Sequence, residues 1–230
     1  MSAGEGPFTF MLVHGAWHGG WCWREVATIL RARGHIVHAP TLTGLCERSH
    51  LYRDDIDLSL HVADVVNEML WHDLTDVVLC GHSYGGMVVT GVAERLAERI
   101  RSIVYLDAFL PADGQSLNDI AGAPGEATGP VPPIPLEAFG LGPEESAWAT
   151  PKLTAQPPRT LSERLAVSGA VDRIARRTYL LAERGAPPFL RAAYERALAA
   201  PGWTGLRIDT GHEVMLEKPV EVAELLVAAA

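Results

Sequence analysis

At 230 residues with 48% hydrophobic composition, the chain is long enough to bury one substantial core, and no repeat or charge block points to a second architecture. A formal charge of −9 without a basic run excludes nucleic acid and anionic membranes as natural partners and favours neutral small-molecule substrates. Three widely spaced cysteines, Cys22, Cys46 and Cys80, read as reduced thiols in a cytoplasmic protein. They lack metal-ligand spacing, and no dinucleotide or Walker fingerprint occurs, so neither a metal nor a cofactor is expected.

Residues 1–7 lack the basic region and apolar core of a signal peptide, and no apolar run is long enough to cross a bilayer. A first strand is expected at 8–13, followed by the glycine-rich loop Val13-His14-Gly15-Ala16-Trp17-His18-Gly19-Gly20-Trp21 and a helix near 20–33. The loop's glycines let backbone N–H groups turn inward, where they can meet developing negative charge. His14 is expected to shape this loop, and the alternative reading of the loop is a tight turn closed by its tryptophans. A second strand is expected at 35–39, flanked by His35 and His38, and a helix at 57–71 carries His61; these histidines and His72 read as structural.

The run 76–80 is nearly all apolar, as a central strand buried on both faces should be, and Gly81-His82-Ser83-Tyr84-Gly85-Gly86 follows it directly before a helical stretch near 84–98. This is the pattern of a nucleophile elbow. Small residues two before and two after the serine allow a tight strand-to-helix turn that lifts the Ser83 hydroxyl clear of the sheet. The first N–H groups of the helix then face an incoming carbonyl oxygen, and the two oxyanion donors are assigned to Ala16 and Tyr84 N–H. His82 adjoins the nucleophile but points away from its hydroxyl, so it is read as support.

A strand at 101–107 ends on Asp107. Between residues 110 and 160 the pattern changes, with Pro124, Pro130, Pro132, Pro133, Pro135, Pro143, Pro151, Pro157 and Pro158 ruling out a sheet or a long helix. Leu136, Phe139, Leu141, Trp148 and Leu153 lie within this insert, which reads as a lid whose apolar residues wall the substrate pocket. A strand at 176–182, a helix at 187–200, a strand at 203–209 and a terminal helix at 218–229 complete the chain. His212 falls on the loop after the last strand, so serine precedes histidine in the hydrolase order. The alternation of strands and helices implies an α/β fold with a mainly parallel sheet covered on both faces and ligands beyond the C-terminal strand ends.

The first loop, the elbow, Tyr105-Leu106-Asp107-Ala108-Phe109-Leu110-Pro111 and Thr210-Gly211-His212 together resemble the α/β-hydrolase superfamily. The branch most similar holds plant methylesterases, hydroxynitrile lyases and bacterial carbamate- and pyrethroid-ester hydrolases. The resemblance implies one α/β-hydrolase domain over residues 1–230 with a cap inserted at about 110–175. In the plant members the triad acid lies just beyond the strand after the cap, where this chain has Gly185. Two carboxylates stand as replacements: Asp107, at a strand end where other superfamily members keep their acid, and Glu183. Asp107 is preferred, because a catalytic acid need only be buried and reach Nδ1–H of the histidine. On the alternative reading Asp107 caps its strand and Glu183 forms a surface pair with Arg184.

The chemistry implied is that of a serine esterase with Ser83, His212 and Asp107 as its triad, acting on small neutral apolar or aromatic carboxylic esters. Carbamates and amides use the same steps. A lyase of this branch carries threonine and lysine where this chain has Gly15 and Glu213, which disfavours cyanohydrin cleavage. A non-catalytic ligand-binding role would leave Ser83, His212 and the oxyanion loop without a purpose.

Overall fold

Apolar strands alternate with amphipathic helices along the whole chain, and they assemble as parallel β/α units. The structure, a computed structural model, describes residues 6–123, 125, 128–184 and 186–230. Residues 1–5, Pro124 and Gly185, to which expectations were attached above, lie outside the described residues. The strands are β1 (Thr9–Val13), β2 (Ile36–His38), β3 (Val77–His82), β4 (Ile100–Leu106), β5 (Arg176–Ala182) and β6 (Trp203–Ile208). The helices are α1 (Arg24–Ala32), α2 (Leu58–Trp71), α3 (Gly85–Leu96), the short α4 (Leu117–Ala121), α5 (Pro143–Ala149) and α6 (Arg159–Ser162), then α7 (Pro188–Ala199), α8 (Val214–Glu217) and α9 (Pro219–Ala228).

The sheet order is β2-β1-β3-β4-β5-β6 and every neighbouring pair is parallel. From β1 the chain steps outward to β2, whereas β3 lies on the other side of β1. The connections leaving the C-terminal ends of β1 and β3 therefore diverge, which opens the crevice where sheets of this kind bind ligands. Side chains alternate between the two faces: Phe10, Leu12, Val78 and Cys80 pack with α1 and α9, and Met11, Val13, Val77 and Leu79 with α2, α3 and α7. Each Val or Leu of β3 is fully buried and contributes about 1.5–3 kcal/mol.

Local chemistry sets the element ends nearest the crevice. Asp57 caps α2, its Oδ1 accepting the Leu60 N–H at 2.9 Å, an interaction worth about 1 kcal/mol. The elbow between β3 and α3 leaves no room for side chains two residues before and two after Ser83. A Cβ on Gly81 would stand 2.5 Å from the Gly85 carbonyl oxygen, and one on Gly85 would stand 2.6 Å from that of Val13. The proline-rich insert between β4 and β5 forms α4, α5 and α6 with irregular chain between them, pinned by isolated antiparallel bridges of Gln115 to Leu165 and Val131 to Gln156. Among the described residues no helix is long and apolar enough to cross a membrane.

Candidate active site

Ser83 sits at the tip of the elbow with φ +52°, a left-handed conformation costing a non-glycine residue about 1–2 kcal/mol. The surroundings hold it there. Its carbonyl accepts from the N–H groups of Gly86 and Phe109, both at 3.0 Å, and its own N–H reaches the Leu106 carbonyl at 3.4 Å. The neighbouring Asp107, one residue past β4, also has a positive φ, +44°, which turns its side chain back under the site.

Asp107 is completely buried, and both its carboxylate oxygens are engaged. Oδ1 accepts the Ala182 N–H at 3.1 Å and Oδ2 lies 2.6 Å from Nδ1 of His212. A carboxylate only accepts, so Nδ1 of His212 carries hydrogen and Nε2 is left to face the cavity. Burial acts against the charged form of His212, but the Asp107 hydrogen bond and charge, aided by Glu213, outweigh it and hold the imidazole above the ordinary histidine value. Glu183 lies instead at the exposed rim, 3.8 Å from Arg207 rather than paired with Arg184, which contacts Asp209 and Glu217. Of the two carboxylates weighed from the sequence, Asp107 alone reaches His212.

The first loop folds against the elbow. A Cβ on Gly15 would stand 3.0 Å from both the His82 ring and Ser83, so a side chain here would press on both, and glycine lets the loop come close without displacing them. The N–H groups of Ala16 and Tyr84 have no acceptor among the described residues, and both residues line the same cavity as Ser83 and His212. Buried histidines set their positions. Burial pushes His14 down to about 3, so it is neutral; Nδ1 donates to the Gly15 carbonyl at 2.8 Å and Nε2 accepts the Leu42 N–H at 3.0 Å. His61 donates from Nε2 to the Thr43 carbonyl and accepts the Tyr84 hydroxyl at Nδ1, both at 2.9 Å, which anchors Tyr84. His82 donates from Nε2 to the His212 carbonyl at 2.9 Å, the supporting role read from the sequence.

The insert grips both halves of this arrangement. Phe139 accepts the His212 N–H on its carbonyl at 2.9 Å and lays its ring against the imidazole, with centroids 5.1 Å apart. Gln156, fully buried, accepts the Trp17 N–H at 2.9 Å, and the Trp17 indole donates to the Val131 carbonyl at 3.0 Å. Gln156 was not singled out from the sequence, because a lone glutamine in a proline-rich stretch carries no pattern.

These elements enclose a cavity of about 260 Å³. Apart from Ser83, His212 and Asn118, its walls are apolar or aromatic, supplied by residues such as Trp17, Phe109, Val131, Phe139, Leu161 and Phe189. No hydrogen bond joins Ser83 to His212; the two meet across this cavity, and such contacts often tighten only when substrate binds. Trp148 corrects the sequence expectation. It stands outside the cavity, edge-on to Trp21 at 5.4 Å in a separate surface groove, because α5 turns that face toward α1. Leu136 and Leu141 likewise form a small cluster of their own with Ala149. Phe139→Ala is therefore expected to shift chain-length preference across p-nitrophenyl esters, whereas Trp148→Ala leaves the ranking of those esters as it was. A changed ranking in the Trp148 variant would place that ring in the pocket after all.

Among the described residues one group has donors suited to a divalent metal: His38, Glu68 and His72, whose ligand atoms lie within 4.8 Å of one another. His38 Nδ1 and Glu68 Oε1 already bond each other at 2.9 Å, and none of the three lines the cavity.

A model of the alpha/beta hydrolase family matches residues 10–225. The chain is 39% identical to the carbendazim hydrolyzing esterase of Nocardioides sp. strain SG-4G, over 95% of this chain and 98% of that protein. It is 32% identical to methylesterase 1 of Arabidopsis thaliana over 60% of this chain, which spans 48% of that protein. A solved extracellular alpha/beta-hydrolase from a Paenibacillus species, described as sharing structural and functional homology with tobacco salicylic acid binding protein 2, is similar in fold. Its TM-score is 0.78 at 25% identity, with 97% of this chain and 99% of that chain covered.

Proposed function

The chain belongs to the alpha/beta hydrolase family, and we propose that it is a serine esterase in which Ser83, His212 and Asp107 are the triad and Ala16 and Tyr84 N–H the oxyanion hole. The observation that carries this reading is the buried Asp107–His212 pair at 2.6 Å, facing Ser83 across an apolar cavity that also receives two unengaged N–H donors. The substrate class is small, neutral, apolar or aromatic carboxylic esters, since the walls offer no charge to an ionised acyl or alcohol group.

In this mechanism Nε2 of His212 takes the Ser83 proton as Oγ attacks the ester carbonyl. Ala16 and Tyr84 N–H groups stabilise the tetrahedral oxyanion, each donor being worth about 2.7–4 kcal/mol in such sites. The imidazolium returns its proton to the departing alcohol, and water, activated by His212 in turn, hydrolyses the acyl-enzyme. Asp107 holds the productive tautomer throughout. Carbamates pass through the same steps, and the similarity to an esterase named for carbendazim hydrolysis makes that compound a natural test substrate. A lyase would need a cation beside the histidine, and the adjacent position holds the buried anion Glu213. Buried free thiols at Cys22, Cys46 and Cys80 support a cytoplasmic location.

A fluorophosphonate probe should label Ser83 and stop turnover of p-nitrophenyl acetate; an unlabelled, fully active protein would refute the nucleophile. Because the base must be neutral, kcat/KM should rise with pH through a His212 pKa lying above the ordinary histidine value. An acid limb below that value would contradict the role given to Asp107. Carbendazim and a pyrethroid ester, run beside the p-nitrophenyl series, rank the acyl classes.

A further inference from the structure

Behind His212 lies a second set of buried polar groups that the mechanism above does not use. Glu213 is 1% exposed, and its Oε2, without a hydrogen-bond partner, lies 3.4 Å from Nε2 of the equally buried His18, which has none either. The bonds at the far ends fix what each ring nitrogen carries. Nδ1 of His18 meets the Ala16 carbonyl at 2.8 Å, and a carbonyl only accepts, so Nδ1 carries hydrogen. In a neutral ring Nε2 would then be bare and would point a lone pair at a carboxylate oxygen. Two acceptors facing each other in the interior repel, whereas a proton between them makes a charge-assisted pair. His82 does not supply that proton. Its Nε2–H is committed to the His212 carbonyl, and burial together with the charge of His212 pushes it down to about 4, leaving it neutral.

We propose that His18 and Glu213 are positioning residues: a proton held between His18 Nε2 and Glu213 Oε2 fastens the loop carrying the oxyanion donor Ala16 to the loop carrying His212. This rests on the esterase reading of the Ser83 site. One loop follows β1 and the other follows β6, so no sheet hydrogen bond ties them together. The pair does so across the sheet, with Trp21 stacked on His18 at 5.3 Å to close it from solvent.

The charge of Glu213 has a second effect. The titratable groups facing it are His18, His82 and His212, with the Cys22 thiol close by, and Asp107 bonds His212 from another direction. Burial pushes the Glu213 carboxyl up, but the charged forms of the facing imidazoles, His18 foremost, bring it below its usual value, so it stays ionised and adds to Asp107 in favouring the charged form of His212.

The test uses p-nitrophenyl acetate and the whole protein. Glu213→Gln removes the charge but keeps the shape, and it should move the acid limb of kcat/KM about one pH unit lower, a shift that loss of packing alone would not produce. Glu213→Ala and His18→Ala cut the pair and should each lower plateau kcat about tenfold or more, with the double variant no slower than the single ones. An unshifted limb in a folded Glu213→Gln, or additive losses in the pair, overturns the proposal. Should the variants fail to fold, 15N imidazole NMR of the wild type decides the matter: hydrogen on both His18 nitrogens supports it, and a bare Nε2 refutes it. Absence of wild-type turnover would instead count against the esterase reading, which the NMR result does not touch.

Discussion

Ser83→Ala is expected to lower ester turnover by roughly a millionfold, the largest effect of any single substitution in this chain, while the protein remains folded. The size follows from the division of labour at the site. Without Oγ no acyl-enzyme forms, and what remains is the oxyanion hole and the binding cavity acting on a water attack, worth about 10³–10⁴ over solution. The fold should be indifferent, because the elbow is held by backbone groups: Ser83 carbonyl to Gly86 and Phe109, and Gly81 and Gly85 against neighbouring carbonyls. Alanine occupies the same left-handed φ as serine at similar cost. The measurement is steady-state turnover of p-nitrophenyl acetate beside a thermal unfolding curve; a folded variant with near-native turnover would remove Ser83 from the mechanism.

Asp107→Asn should lower kcat by up to about ten-thousandfold in a folded protein. Asparagine fills the same space, and its carbonyl can still accept the Ala182 N–H, but its amide would then donate toward Nδ1 of His212. The imidazole would respond by placing its hydrogen on Nε2, where no lone pair remains to take the Ser83 proton. Glu183→Gln, at the exposed rim against Arg207, should change kcat less than twofold or so, since surface pairs of this kind contribute about 0–1 kcal/mol. Both variants need unfolding curves, because a buried carboxylate that supports a strand end could lower activity by unfolding. A folded Glu183→Gln variant that is the crippled one would move the acid to the end of β5.

The strands were legible in the sequence because each is a short run of apolar and β-branched residues bounded by polar or glycine-rich chain. The observed β3, Val77–His82, departs from the expected 76–80 only at its ends, where the elbow extends the strand by two residues. Ser83 was legible for the same reason that it is strained: only small residues tolerate the turn on which it sits, and they leave a mark in the chain. His212 followed from its place after the last strand. The proposed acid was not legible in that way. A carboxylate in a triad needs burial and reach, and both Asp107 and Glu183 end strands of the same parallel sheet.

What the sequence by itself determined is therefore the part governed by local rules: the β/α alternation, the elbow, the glycines that bring the first loop against it, and the order serine then histidine. Tertiary structure decided everything that depends on which strand ends are neighbours. The order β2-β1-β3-β4-β5-β6 places β4 beside β5, so that Asp107 takes the Ala182 N–H with one oxygen and His212 with the other. It also decided that Phe139 faces the cavity and Trp148 does not, and that Gln156 and Glu213 reach the first loop, at Trp17 and His18. Hydrophobic composition says that such an insert will cover something. The direction of these side chains is set by contacts between segments far apart in the chain, as Phe139 is from His212 and Gln156 from Trp17, and no local pattern encodes them.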